Sequence, residues 1–155
     1  MPSKEIVEGN AAPNFSLPAN NGEQISLSGF KGKWVVLYFY PKDDTPGCTK
    51  EACSFRDTKP KFSKKNAVVF GVSKDSVDSH IKFINKFNLN FLLLADTEGK
   101  TIEVYGAFKK KGMFGKTFLG IERSTFLINP EGKIAKIWRN VKVDGHEEAV
   151  LKEIK

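Results

Sequence analysis

Seven consecutive residues, WVVLYFY from Trp34 to Tyr40, carry no polar alternation. A run of β-branched and aromatic residues with no polar face suits a strand covered on both sides. This segment therefore dictates a central strand sandwiched between two layers, stopped by Pro41, which has no N–H to offer a ladder. AVVFGVS (Ala67 to Ser73) and the shorter FLLLAD read the same way. Between them lie helical patterns. From Cys48 to about Lys65, residues Ala52, Phe55, Lys59 and Phe62 fall on one side, with Pro60 expected to kink or split the segment. In VDSHIKFINKFN, the residues Val77, Ile81, Ile84 and Phe87 form one stripe. Strand-helix-strand crossovers of this kind favour parallel pairing.

The flanks add further elements. NFSLPANNGEQISLSGFKGK alternates around Asn21-Gly22, a pairing that supplies the positive φ of a tight turn, so an N-terminal hairpin is expected. TEGKTIEVYGA reads as a helix opened by Asp96 or Thr97. STFLINPEGKIAKIW reads as two strands about an Asn129-Pro130-Glu131-Gly132 turn, and GHEEAVLKEI as a closing helix. The result is an α/β chain: a mixed central sheet with helices on both faces. Its 155 residues contain no repeat, low-complexity segment or linker, which predicts a single domain over residues 1–155.

Charge narrows the function classes. The net charge of +7 invites a nucleic-acid reading, but the lysines are spread along the chain. The one basic run, FKKKGMFGK, reads better as a solvated loop than as a binding patch. No stretch reaches the roughly 20 apolar residues that span a bilayer, and MPSKEIVEGN lacks a secretory core. A soluble, cytoplasmic protein without nucleic-acid or membrane partners is expected, with an organelle left open.

Both cysteines of the chain, Cys48 and Cys53, lie within YPKDDTPGCTKEACSF. Two thiols do not make a disulfide scaffold, so reactivity or metal binding is indicated. Thr45 reads as a helix N-cap with Pro46 at the first helical position, placing Cys48 in the first turn. There the free N–H groups and the helix dipole favour a thiolate. A small buried core residue is the alternative for Cys48. Five residues along a continuous helix separate two Cα atoms by about 8.6 Å, more than the roughly 7 Å a disulfide allows. The thiols can coexist on an intact helix and join only if its first turns unwind. Zinc would need four ligands, and His80 and His146 stand far along the chain, so no metal site is expected. Arg123, one of three arginines, precedes the buried strand STFLI, where its planar fork could reach a strand-end pocket or simply cap the strand.

Taken together, Pro41-x-x-x-Thr45-x-x-Cys48 after a central strand, Cys53 five residues on and a distant Arg123 resemble the peroxiredoxins, and more narrowly the bacterioferritin comigratory or peroxiredoxin Q group. The resemblance runs from GNAAPNFSLP through GIERSTFLI to the C-terminal helix. It implies a thioredoxin-like fold with an added N-terminal hairpin and a thiol peroxidase that acts on hydroperoxides without metal or prosthetic group. It further implies a monomer recycled by thioredoxin or a glutaredoxin-type dithiol. Residue by residue, Cys48 matches the peroxidatic cysteine, Cys53 the resolving one, Thr45 the residue that hydrogen-bonds peroxide and thiolate, Pro41 the one that shields the pocket, and Arg123 the one that activates both. Glu51 is expected either to orient Arg123 or another basic side chain, or to be a solvated first-turn carboxylate. Two rivals make different demands. A thioredoxin-like disulfide oxidoreductase would show Cys-x-x-Cys and has no need of Thr45 or Arg123, and a basic binding module would turn over no peroxide.

Overall fold

The computed structural model describes residues 6–113 and 115–155. A short hairpin (β1, Ser16–Pro18; β2, Gln24–Ser26) and a 3-10 turn (Leu27–Phe30) lead into β3 (Trp34–Phe39), α1 (Pro46–Lys64), β4 (Ala67–Ser73), α2 (Val77–Phe87) and β5 (Leu92–Ala95). Then come α3 (Lys100–Val104), a second hairpin (β6, Phe108–Met113; β7, Lys116–Ile121), β8 (Ser124–Ile128), β9 (Ile134–Trp138) and α4 (His146–Glu153). The central sheet has the order β5-β4-β3-β8-β9. Strand β3 is parallel to β4, from Trp34↔Ala67 to Phe39↔Val72, and antiparallel to β8. No helix among the described residues is long and apolar enough to cross a membrane.

The unbroken apolar character of β3 follows from what covers it. Val35, Leu37 and Phe39 pack with Phe15, Leu17 and Ile25 of the N-terminal segment and Ile102 of α3. Val36, Tyr38 and Tyr40 face the other way, against Cys48, Ala52, Phe55 and Phe62 of α1 and Val150 of α4. Each large apolar side chain so buried contributes about 1.5–3 kcal/mol, enough to fix the register of the strand that leads to the cysteines. Gly71, opposite Tyr38 in the ladder, is part of this fit: a Cβ there would lie 2.8 Å from the Tyr38 ring.

Several expectations require correction. Helix α1 runs unbroken through Pro60. The proline removes the N–H that would bond the Arg56 carbonyl, and Asn90 Nδ2 donates to that carbonyl instead, at 3.1 Å. The buried residues of α2 are His80 and Phe83, whereas Ile81 is 38% exposed. The stripe is rotated because His80 finds polar partners inside. Of the basic run FKKKGMFGK, expected to be a loop, residues 108–113 form β6 and Lys116 opens β7, with Gly115 at φ +75° between them; Phe114 lies outside the described residues. That hairpin forms its own two-stranded sheet outside the central one, with the paired Phe108 and Ile121 at its base packed against the core. Helix α3 starts only at Lys100, after Gly99 at φ +76°, while Asp96 Oδ2 accepts from the Ile102 N–H.

Candidate active site

Strand β3 delivers the chain to Tyr40, and the loop Pro41 to Thr45 turns it into α1. Asp44 there has φ +58°, the left-handed region that a short acidic side chain tolerates. Thr45 is the N-cap residue by its backbone (φ −98°, ψ 155°) and Pro46 opens the helix, which makes Cys48 the third helical residue. The expected cap hydrogen bond is absent. Thr45 Oγ1 donates to the Lys42 carbonyl at 2.9 Å, which commits its proton and leaves its lone pairs to accept. Cys48 is 2% exposed and Cys53 half-buried; both are free thiols on the intact helix.

Arg123, in the short connection between β7 and β8, closes the site. Its Nη2 lies 3.4 Å from Cys48 Sγ and its Nη1 donates to Glu51 Oε1 at 2.7 Å. Gly47 permits this approach, since a Cβ there would come within 3.1 Å of Nη2. Burial opposes the charge on Arg123, but Glu51 and Cys48 together outweigh it and hold the guanidinium protonated. Glu51 is 2% exposed, so the solvated alternative does not hold: this carboxylate orients the arginine. Burial lifts Glu51 from an ordinary carboxylate's 4.5 to about 7, against the lowering effect of Arg123. Among the described residues its Oε2 has no hydrogen-bond partner.

The raised value has a consequence for stability. The folded chain holds the Glu51 proton more tightly than the unfolded chain, so this group's contribution is full below about 4.5 and is lost as pH rises to about 7. Glu51→Gln keeps an acceptor for Arg123 and removes that slope, on the order of 3 kcal/mol over the window. Chemical denaturation of parent and variant at intervals across it measures the difference; parallel curves would show that Glu51 is not the group that titrates.

Pro41, Ile121, Arg123, Asn140 and Val141 line a pocket of about 300 Å³ at this end of the sheet. The sequence-predicted residues Pro41 and Arg123 thus share one opening, whereas Thr45, Cys48 and Cys53 do not line it, and Cys48 is linked to it through its contact with Arg123. A larger cavity of about 550 Å³, beside Ile25, Phe30, Leu89 and Phe91, contains none of them.

Sequence reasoning missed a buried polar cluster behind the loop. Asp43 is only 8% exposed and meets Tyr40, Ser79 and His80. A histidine in an apolar helix stripe, with an aspartate next to the cysteine motif, was the available signal. His146 is likewise not isolated: Nε2 lies 2.8 Å from Thr125 Oγ1, and burial, reinforced by Arg123, lowers it to about 4.

Comparison with known proteins extends over nearly the whole chain. The AhpC/TSA family model matches residues 8–137. A putative peroxiredoxin bcp of Coxiella burnetii is 55% identical over 146 residues, covering 94% of this chain and 97% of that protein. Peroxiredoxin Bcp of Bacillus subtilis is 52% identical over 147 residues, covering 95% and 94%. Among solved structures, Xanthomonas campestris peroxiredoxin Q superposes with a TM-score of 0.88 at 46% identity, over 90% of this chain and 89% of that one. A structure of the bacterioferritin comigratory protein of the same organism, described for its alkyl peroxide reduction activity, gives 0.88 at 45% over the same shares.

Proposed function

This chain belongs to the AhpC/TSA family and is a peroxiredoxin with a thioredoxin-like fold, and on that premise we propose that Cys48 is its peroxidatic cysteine and Cys53 its resolving cysteine. The observation that carries the reading is the Arg123 fork, one nitrogen at Cys48 Sγ and the other on buried Glu51. A cation fixed in that way faces the attacking sulfur and stands ready for the negative charge that O–O cleavage places on the departing oxygen.

In the first step the Cys48 thiolate attacks the outer oxygen of a hydroperoxide. An S–O bond forms, the O–O bond breaks, and the alkoxide or hydroxide takes up a proton to leave as alcohol or water, with Cys48 left as sulfenic acid. Hydrogen peroxide and alkyl hydroperoxides both fit this chemistry. Thr45, its proton committed to Lys42, accepts a hydrogen bond from the peroxide, and Pro41 screens the pocket from water. In the second step the first turns of α1 unwind and the Cys53 thiolate attacks the sulfenic sulfur. An S–S bond forms and hydroxide leaves as water. A dithiol protein, thioredoxin or a glutaredoxin-type reductant, then takes over the disulfide by exchange and restores both thiols. The working unit is a monomer with one catalytic domain spanning residues 1–155, acting in the cytoplasm.

Thioredoxin-dependent consumption of hydrogen peroxide tests the cycle directly, and no turnover with any dithiol donor would overturn it. The Cys53→Ser variant separates the two steps. It completes one attack and stalls, so dimedone traps sulfenic acid on Cys48 in near-stoichiometric yield. Steady turnover in that variant at the parent's rate, without adduct, would remove Cys53 from the resolving role.

A further inference from the structure

The Pro41–Thr45 loop brings Pro41 to the pocket beside Arg123 and leads into α1, yet it lies outside every sheet ladder, so side chains must hold it. Asp43 does most of this. Its Oδ1 accepts from Tyr40 Oη at 2.5 Å, its Oδ2 accepts from Ser79 Oγ at 2.8 Å and meets His80 Nδ1 at 2.7 Å, and its N–H donates to Asp75 Oδ2 at 2.8 Å. Among the described residues no lysine or arginine reaches Asp43; its charge partner is His80. That imidazole is fully buried and its ring state follows from its neighbours. Nε2 lies 2.9 Å from the Leu94 carbonyl, which can only accept, so Nε2 carries a proton. Were Nδ1 bare and Asp43 ionised, two lone pairs would face each other at 2.7 Å. The Asp43–His80 pair therefore holds one further proton between them.

We propose that His80 is a positioning residue for the peroxide step, pinning the Pro41–Thr45 loop through the Asp43 carboxylate so that Pro41 and Thr45 stay set around Cys48. Helix α2 thus acts on a reaction it does not touch. The Leu94 carbonyl of β5 fixes the ring, the ring fixes the carboxylate, and the carboxylate fixes the loop. The proposal rests on the assignment of Cys48 as the peroxidatic residue.

The test is the second-order rate of Cys48 sulfenate formation in variants that keep or lose the donor facing Asp43. His80→Gln can reach toward the Leu94 carbonyl but presents no donor at the Nδ1 position; its rate falls ten- to a hundredfold, the order expected when a reacting group is misplaced by a fraction of an ångström to an ångström. His80→Asn places an amide N–H near the Nδ1 position and recovers most of that loss. Asp43→Asn also retains the rate within about threefold, because its amide can donate to Nδ1 while its oxygen accepts from Tyr40. Alkylation of Cys48 by iodoacetamide, which needs the thiolate but not the peroxide pocket, changes little in all three. If His80→Gln does not accumulate as folded protein, Asp43→Leu carries the same expected loss from the other side of the pin. A His80→Gln rate within about twofold of the parent, equal losses in His80→Gln and His80→Asn, or alkylation falling in step with peroxide reduction would each overturn the proposal. A parent protein that forms no sulfenate on Cys48 would instead bring down the underlying assignment, and the two failures are told apart by the parent alone.

Discussion

A Cys48→Ser variant consumes hydroperoxide no faster than buffer. Serine fits the space of a side chain that is 2% exposed, and Arg123 still has an oxygen to face, so the fold is retained. What disappears is the nucleophile: a serine hydroxyl stays protonated near neutral pH, and the group that faces it, the Arg123 guanidinium, is a cation that cannot take the proton. Peroxide disappearance with a saturating dithiol donor measures the loss, and a melting curve that overlays the parent's shows that chemistry rather than folding has gone. Catalytic turnover in a well-folded Cys48→Ser would move the reaction to another residue.

The second large effect belongs to Arg123. Arg123→Lys keeps one positive charge but replaces a planar fork by a single ammonium, which cannot serve Cys48 Sγ and Glu51 Oε1 at once from opposite ends of one rigid group. If the ammonium goes to the carboxylate, Cys48 loses its cation. If it goes to Cys48, Glu51 is left as an unpaired carboxylate with 2% exposure, which is expensive enough that it takes up a proton. Either way the peroxide step slows on the order of tenfold or more, about 1.4 kcal/mol in the barrier. Stopped-flow traces of the first turnover resolve it, and a rate within about twofold of the parent would remove Arg123 from the reaction.

The parts of this molecule that read directly from sequence are those where one physical demand dominates. WVVLYFY had to be a doubly covered strand, and it lies between β4 and β8 in the ladder. Thr45-Pro46 had to open a helix, and α1 starts at Pro46. Arg123 was legible as a candidate but not as a contact, since its distance from Cys48 depends on the β3–β8 pairing, which no local pattern encodes. The failures have the same origin. Pro60 argues for a break only while Asn90, 30 residues on, is left out of account. The α2 stripe rotates because a buried histidine can be solvated by a carboxylate and a carbonyl, which hydropathy does not register. The lysines of FKKKGMFGK hide a hairpin whose strands pair with each other, outside the central sheet.

Pro60 carries one more consequence. In an ordinary helix every carbonyl of the interior depends on the turn that follows, so disorder that enters at one end can travel the whole length. In α1 the Arg56 carbonyl depends on Asn90, and the Arg56 side chain is also tied to the Phe87 carbonyl at 2.6 Å. The helix is therefore continuous, yet at this one point it is gripped from outside by Phe87 and Asn90. Unwinding that begins at Cys48 would have to break the Ala52 and Phe55 packing before it met that grip at Arg56, one turn beyond Cys53, with Phe62 seated in the core behind it.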